Sequence, residues 1–329
     1  MGDVTLASAA IEDIHRSFPN ATLDLDTLAP WNQLYANDPR FERVQAYPLR
    51  AKGLLQQTRA SWRWLRAVSD RRYDLVVDLQ TTDRSRIMIG ALALFGGAIR
   101  YRAGNKPAWP YNLAGPPIAG ARHALDLARS NLGSFGVQPQ TNHPVLHFTE
   151  AQQQHAQALL DQHGLQGQRF GIFLPGCQAA GYLKRWGAAR YAALAAKLLD
   201  GDVSRIVILG GPDELEECAA ISDLANDQRV INLAGMTNLA DVPLIANHAA
   251  FIVGNDTGTA HLAAVAEKRM VILCGATDPR RVKPAGDEVR TVQLDIPCRN
   301  CYAKHCSHQS CMVLLAPSLV VDALQQDHT

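Results

Sequence analysis

The stretch Phe251-Ile252-Val253-Gly254-Asn255-Asp256-Thr257-Gly258-Thr259-Ala260-His261-Leu262-Ala263-Ala264 decides how the chain folds. Its apolar opening reads as a short buried strand, its polar, glycine-bearing middle as a tight turn, and its alanine-rich end as the start of a helix. A helix that opens directly from a strand end leaves backbone N–H groups without partners, and such groups bind anions. Gly258 would let a phosphate approach the backbone, Thr257 and Thr259 would add hydroxyl donors, and His261 would lie in the first helical turns. Together they suit a diphosphate. The plainer use of Asn255 or Asp256 at this place is to cap the helix, and spacing alone leaves both readings open.

Working outward, the strand-like runs Leu75–Val77, 206–209 and Met270–Leu273 alternate with Ala- and Leu-rich helical segments such as 188–199 and 317–326. That rhythm is the signature of βαβ units with buried parallel strands, an α/β fold. Two further turns follow strands. The first is Pro175-Gly176-Cys177-Gln178, after a strand ending at Leu174, with Lys184-Arg185-Trp186 just beyond it. Lys184 would reach a phosphate and neutralise a leaving group, although a Lys-Arg-Trp step alone is more often a solvated helix entrance with one buried ring. The other is Leu209-Gly210-Gly211-Pro212-Asp213-Glu214, which puts Asp213 where a ribose or base would sit but is equally an ordinary Gly-Pro-Asp turn. Loops that each follow a strand converge on the carboxyl edge of one parallel sheet, where open α/β sheets bind ligands.

With 329 residues the chain is long enough for two domains. The proline-bearing polar segment 138–144 interrupts the pattern and places the boundary near residue 150, giving domains 1–150 and 151–329. The first domain begins abruptly. Met1-Gly2-Asp3-Val4 runs straight into a helical pattern carrying Leu6, Ala10, Ile14 and Phe18, so the expected first strand is missing. Lys and Arg total 32 against 31 Asp and Glu, a net charge of +1 that gives no reason to expect nucleic acid. There is no uninterrupted apolar run of about 18 residues and no signal-peptide order at the start, from which a cytoplasmic protein, soluble or surface-associated, is expected. Cys177, Cys218 and Cys274 lie near apolar segments, as reduced thiols do.

In the first domain Arg59, Arg63 and Arg66 share one helical face in a segment that also carries Trp62 and Trp64. Such a face suits anionic lipid or the phosphates of an acceptor sugar, and a solvated surface helix is the alternative. Asp78 and Gln80 end the 75–77 strand and point to the same edge, either for an acceptor or as strand-end hydrogen bonders. Late in the chain Cys298, Cys301, Cys306 and Cys311, with His305 and His308, have the density of a metal knuckle. Their spacing departs from paired Cys-x-x-Cys halves, so zinc is not the favoured reading.

The turn 256–261, the stretch Gly275-Ala276-Thr277-Asp278-Pro279, Lys184-Arg185-Trp186 and the initial Gly2-Asp3 resemble the ADP-heptose:lipopolysaccharide heptosyltransferases, glycosyltransferase family 9. The resemblance covers nearly the whole chain, and the cysteine-rich segment is similar to one in many members. It implies a GT-B architecture, two Rossmann-like domains with parallel sheets facing across a cleft. It also implies an inverting, metal-independent transfer of heptose from ADP-heptose to the inner core of lipopolysaccharide, with peripheral contact at the cytoplasmic face of the inner membrane left open. By position Asp3 matches the general base. Lys184 and the segment Asp256, Thr257, Gly258, Thr259 and His261 match residues that hold the diphosphate, and Asp213 and Met236 lie near the nucleoside. Ala179 and Ala180 stand where some relatives carry hydroxyl residues, and Thr259 where the family often has leucine. A dehydrogenase is disfavoured because no Gly-x-Gly-x-x-Gly follows a first strand. Another nucleotide sugar, or a non-catalytic nucleotide-binding relative, are the competing readings.

Overall fold

The computed structural model describes residues 1–47, 53–80, 82–95, 99–104, 106–115, 120, 123–177 and 179–326. Its chain divides into an N-terminal unit, Asp3–His147, and a C-terminal unit, Phe148–Thr329, with which Met1–Gly2 are grouped.

The N-terminal unit is built on helix α1 (Gly2–Ser17), followed by strands β1 (Leu23–Leu28) and β2 (Phe41–Tyr47), helix α2 (Leu54–Ser69), strand β3 (Leu75–Val77), helix α3 (Asp83–Phe95), strand β4 (Tyr101–Ala103) and helix α4 (Ala124–Arg129). Its described strands form two separate parallel ladders, β1 with β2 and β3 with β4, where the sequence suggests one Rossmann-like sheet. Helix α1 buries polar as well as apolar residues. Asp13, fully buried, accepts from Arg129 Nε at 2.9 Å, from the backbone N–H of Gln140 at 2.8 Å and from the Thr141 hydroxyl at 3.0 Å. A buried carboxylate is tolerable only when paired and hydrogen-bonded, and here the pairing ties the polar 138–144 segment to α1. Glu12 and Asp38 both pair with Arg40, at 2.9 and 2.6 Å. Leu65 and Val68 of α2 share a small core with Ile89 and Leu92 of α3.

The C-terminal unit runs α5 (Glu150–Gln162), β5 (Phe170–Leu174), α6 (Ala188–Leu199), β6 (Arg205–Ile208), α7 (Leu215–Ala225), β7 (Val230–Asn232), α8 (Asp241–Ala246), β8 (Phe251–Asn255), α9 (Gly258–Ala263), β9 (Met270–Leu273), α10 (Pro279–Val282), β10 (Val289–Val292), α11 (Ser310–Val313) and α12 (Pro317–Gln325). Thr149 opens α5 with a reciprocal capping box to Gln152. The six strands pair in parallel in the order β10-β9-β8-β5-β6-β7. Every residue of β5, β8 and β9 is buried, as expected for strands covered on both faces. On one face Phe173, Val253 and Leu273 pack with Trp186, Tyr191 and Leu194, along with Ile221 of α7 and Val320 of α12. Gly171 lies in register with Phe251, and a Cβ there would run into the Phe251 ring, so the central pair of strands requires glycine at that position. Chain order reverses between β5 and β8, which makes the crevice beyond their carboxyl ends the topological switch point of the sheet.

Candidate functional site

At that switch point two residues from adjacent strand ends meet. Lys184, in a short 3-10 segment Ala179–Lys184 after β5, donates from Nζ to Asp256 Oδ2 at 2.8 Å, and Asp256 is the first residue beyond β8. Thr277, in the turn after β9, donates its hydroxyl to the same carboxylate oxygen at 2.9 Å. The Asp256 carboxylate is 4% exposed, whereas the Lys184 side chain is 33% exposed. The pair therefore holds the ammonium in place while leaving it open to solvent on one side. An anion arriving there meets a fixed cation, and it would be repelled by Asp256 itself. Asp256 is thereby paired with Lys184 and Thr277 at the strand end where the sequence places a donor contact.

The neighbouring turn is stitched to β5 by Asn255. Its side chain, fully buried, donates to the Pro175 carbonyl and accepts from the Tyr191 hydroxyl at 3.1 Å. The helix α9 is capped by Thr257, whose hydroxyl oxygen accepts from Ala260 N–H at 3.3 Å, so neither Asn255 nor Asp256 has the capping role the plainer reading gave them. With Ala260 N–H satisfied by the cap and His261 N–H by the Thr257 carbonyl at 3.3 Å, the N–H groups of Gly258 and Thr259 are the ones at the opening of the helix. The chain start lies against this turn. A Cβ on Gly258 would meet Met1 Cβ at 2.8 Å, and one on Gly2 would meet the His261 ring at 2.9 Å. Gly258 thus permits a close approach, as its residue type implies, but the approach seen here is that of Met1. His261 is buried within α9.

The third loop, after β6, belongs to the same edge because β6 lies beside β5. Glu214 Oε2 accepts from Gly211 N–H at 2.8 Å, and a Cβ on Gly176 would strike the Glu214 carboxyl, so the β5 and β6 loops are in direct contact. Burial pushes the Glu214 carboxyl above the usual carboxylate range, and the nearby Asp213 pushes it further the same way. Asp213 and Met236 are both exposed beside this loop. Met236 follows Gly235, whose N–H donates to the Gly210 carbonyl at 2.9 Å. Gln178 lies outside the described residues, and the structure says nothing of the Ala179 and Ala180 side chains.

In the N-terminal unit the expected residues are carried by three elements, α1, α2 and the end of β3. Asp3 is exposed in the first turn of α1, where the helix dipole favours a carboxylate. Arg59, Arg63 and Arg66 project outward from α2 with Trp62, but Trp64 turns inward and meets the Tyr47 ring edge-on at 5.2 Å. Asp78 is 5% exposed and accepts from the Tyr111 hydroxyl at 2.6 Å and from Gln80 N–H at 3.0 Å, which gives it the strand-end role.

Cys298, Cys301, Cys306 and Cys311 line one cavity of about 370 Å³ with His305, His308 and Ala276. Burial pushes the Cys311 thiol up, and the other three thiols act in the same direction. Among the described residues no three His, Cys, Asp or Glu side chains are arranged to hold a metal ion. What the segment visibly does is brace the loop after β9. Tyr302 N–H donates to the Ala276 carbonyl at 2.8 Å, and Gln293 Nε2 donates to the Thr277 carbonyl at 3.0 Å and to Asn300 Oδ1 at 2.8 Å. The contacts of Thr277 and Glu214, and the bracing role of Asn255 in place of the cap considered for it, are what reading the sequence missed. Asn255 ends a strand, and Glu214 and Thr277 lie in turns that follow strands of the same sheet; that common edge was the available signal.

The model of glycosyltransferase family 9 (heptosyltransferase) matches residues 61–312. A lipooligosaccharide heptosyltransferase 2 of Haemophilus influenzae is 28% identical over 309 residues, covering 89% of this chain and 86% of the relative. Among solved structures, a family 9 glycosyl transferase from Veillonella parvula superposes with a TM-score of 0.80 at 18% identity, covering 98% of this chain and 92% of the other. The E. coli heptosyltransferase WaaC solved with ADP superposes with a TM-score of 0.72 at 20% identity, covering 98% and 95%. A second structure of WaaC holds ADP-2-deoxy-2-fluoro heptose. These likenesses show the GT-B fold.

Proposed function

The chain belongs to glycosyltransferase family 9, and on that premise we propose that it moves a heptose from ADP-heptose onto the inner core of lipopolysaccharide. The observation that carries the reading is the Lys184 ammonium, fixed by Asp256 and Thr277 beside the opening turn of α9 at the switch point of the sheet. A departing nucleoside diphosphate gains negative charge as the sugar bond breaks, and a cation held ready for that charge lowers the barrier without reorganising at the moment of reaction. WaaC's complexes with ADP and a fluorinated ADP-heptose support the choice of donor.

In this reading an acceptor hydroxyl attacks the anomeric carbon while the bond to the β-phosphate oxygen breaks, with inversion in one displacement. The hydroxyl proton passes to Asp3, one peptide bond beyond Gly2, and the bonding electrons leave with ADP. Lys184, the N–H groups of Gly258 and Thr259, and the Thr257 and Thr259 hydroxyls take the diphosphate, with His261 supporting the turn. Asp213 and Met236 flank the nucleoside. Arg59, Arg63 and Arg66 attract the phosphates of the acceptor, with Gln80 and Asp78 at the neighbouring strand end. The charge on the leaving group is met by side chains and backbone, so the reaction is proposed to need no metal, and transfer in excess EDTA should match transfer without it.

A donor screen tests the reading directly. ADP-heptose should support transfer and UDP- or GDP-hexoses should not, and a preference for either hexose donor overturns the assignment of the sugar. Asp3→Ala should abolish transfer while leaving ADP affinity nearly unchanged, because the base acts only on the acceptor. Undiminished turnover in that variant removes Asp3 from the mechanism.

A further inference from the structure

Lys184 closes the short 3-10 segment Ala179–Lys184, and its ammonium is only as well placed as the backbone that carries it. The carbonyls at the end of a helical turn point past the last N–H that the turn can offer, so they need donors from elsewhere. Arg185 N–H takes the Tyr182 carbonyl at 3.0 Å. The next donor comes from far along the chain. Gln309 Nε2 donates to the Leu183 carbonyl at 3.1 Å and to the Arg185 carbonyl at 3.2 Å, with the Tyr182 carbonyl at 3.5 Å. These acceptors decide which end of the amide faces them, since only its NH2 can donate. One side chain thus ties the peptide units on both sides of Lys184.

Gln309 is itself held in an unusual way. It precedes α11 with φ 43° and ψ 34°, a left-handed backbone that glycine takes freely and a residue with a Cβ takes at a cost. Its N–H donates to Cys306 Sγ at 3.3 Å, and its carbonyl accepts from Met312 N–H at 2.9 Å and from Val313 N–H at 3.0 Å. Such a conformation persists where its surroundings over-determine it, and here it aims the amide at the Lys184 turn. The docking of this segment does not depend on that amide. Trp186 Nε1 donates to the Leu315 carbonyl at 2.9 Å and Arg190 Nε to the Val313 carbonyl at 3.0 Å, which hold 313–315 in place on their own. What the Gln309 amide adds is a fixed setting for the Lys184 turn.

We propose, resting on the reading of Lys184 as the cation that meets a departing diphosphate, that Gln309 is a positioning residue for it, acting through the Leu183 and Arg185 carbonyls. Asp256 fixes the ammonium, and Gln309 fixes the peptide units on either side of it. The cysteine-bearing segment then backs both loops that meet at Asp256, with Tyr302 bracing the loop of Thr277 and Gln309 the turn of Lys184. A preorganised charge loses its effect when the backbone beneath it drifts, which is how a residue that acts through another enters the rate.

The test is a double-mutant cycle on the full chain. Gln309→Met keeps the length and neutrality of the side chain and removes the donor, whereas Gln309→Lys keeps a donor of similar reach. Gln309→Met should lower kcat about fivefold, and Gln309→Lys should stay within about twofold of the parent. Both should melt within about 4 °C of the parent, because Trp186 and Arg190 keep the segment docked. In a Lys184→Ala background Gln309→Met should lower kcat no further, since its effect passes through the ammonium. Equal losses in the two backgrounds make Gln309 a structural tie and overturn the positioning role, as does an unchanged kcat in Gln309→Met. A second readout needs no transfer. Acetylation of Lys184 by acetic anhydride, followed by peptide mass mapping, should run about threefold faster in Gln309→Met as the ammonium leaves Asp256 more often, and at the parent rate in Gln309→Lys. Unchanged labelling also overturns the positioning role. Faster labelling in a chain that transfers no heptose supports it and overturns only the assigned reaction.

Discussion

The two units of this chain spend their apolar residues in opposite ways. The C-terminal unit gathers six strands into one parallel sheet, with every residue of its three central-to-left strands, β5, β8 and β9, buried. The N-terminal unit holds its described strands in two short ladders, pins its first helix with the buried Asp13–Arg129 pair, and leaves Leu55, Trp62, Ile87 and Phe95 in solvent. A ligand site that must hold a diphosphate at fixed distances belongs on the first kind of scaffold, because strand ends in a shared sheet cannot drift apart.

The largest expected effect tests that difference with one substitution type at two places. Trp186 is 1% exposed, donates from Nε1 to the Leu315 carbonyl at 2.9 Å and meets the Tyr191 ring edge-on at 5.0 Å. Trp186→Ala should cost about 3–5 kcal/mol of stability, as loss of a buried ring does. Trp62→Ala should stay within about 0.5 kcal/mol, since the ring has little packing to lose. Urea titrations of both variants check this, and equal losses would mean that α2 is covered in solution.

Next in size is the site itself. Lys184→Ala should lower kcat by about 10²–10³, the loss typical of removing one preorganised contact to a developing anion. Asp256→Asn keeps the shape of the contact and removes the charge that fixes the ammonium. It should lower kcat by roughly tenfold without weakening ADP binding, because a negative charge has left the neighbourhood of the phosphates. Steady-state kinetics and ADP titration separate the two. If Asp256→Asn binds ADP more weakly, the carboxylate has a ligand role that its pairing with Lys184 conceals.

How much of this was legible beforehand follows the same division. The strand at Met270–Leu273 and the helix at Ala188–Leu199 appear where the apolar runs and alanine spacing place them, because a strand buried on both faces writes an uninterrupted hydrophobic signal. Lys184 and the turn from Asp256 could be named as a pair of loops, since both follow strands of one sheet. Their direct contact could not, because strand order is a tertiary fact and β5 and β8 are 77 residues apart from Leu174 to Phe251 in the chain, with β6 and β7 between. The pairing of Asp256 with Lys184 was hidden for the same reason, as its partner lies on another loop. In the N-terminal unit the two separate ladders and the inward turn of Trp64 were hidden, since Trp62 and Trp64 carry the same residue type and only the packing of α2 tells them apart. Family resemblance supplied Asp3 and Met236, which no local pattern would have singled out.

The arginine face should show a smaller effect, in KM. Arg63→Glu/Arg66→Glu reverses charge at two exposed positions of α2 and leaves its buried face untouched, so folding should be retained. With a phosphate-bearing acceptor KM should rise about tenfold, roughly 1.4 kcal/mol, while the constants for the donor stay as they were. Unchanged KM would return the face to a merely solvated one and take the acceptor assignment with it.

The smallest effect concerns the turn from which the reading began. Thr257 caps α9, a helix of six residues that has little hydrogen bonding of its own to spare. Thr257→Ala should cost about 1 kcal/mol through loss of the cap, and Thr257→Ser, which keeps the acceptor oxygen, should recover most of it. The same hydroxyl accepts from Ala260 N–H and so keeps its proton for a phosphate oxygen. If that proton is used, Thr257→Ala should also raise the Kd for ADP, and Thr257→Ser should restore both stability and affinity together. If stability returns with serine and affinity never changes, Thr257 is a cap alone, and the diphosphate rests on the ammonium of Lys184 and the backbone of the turn.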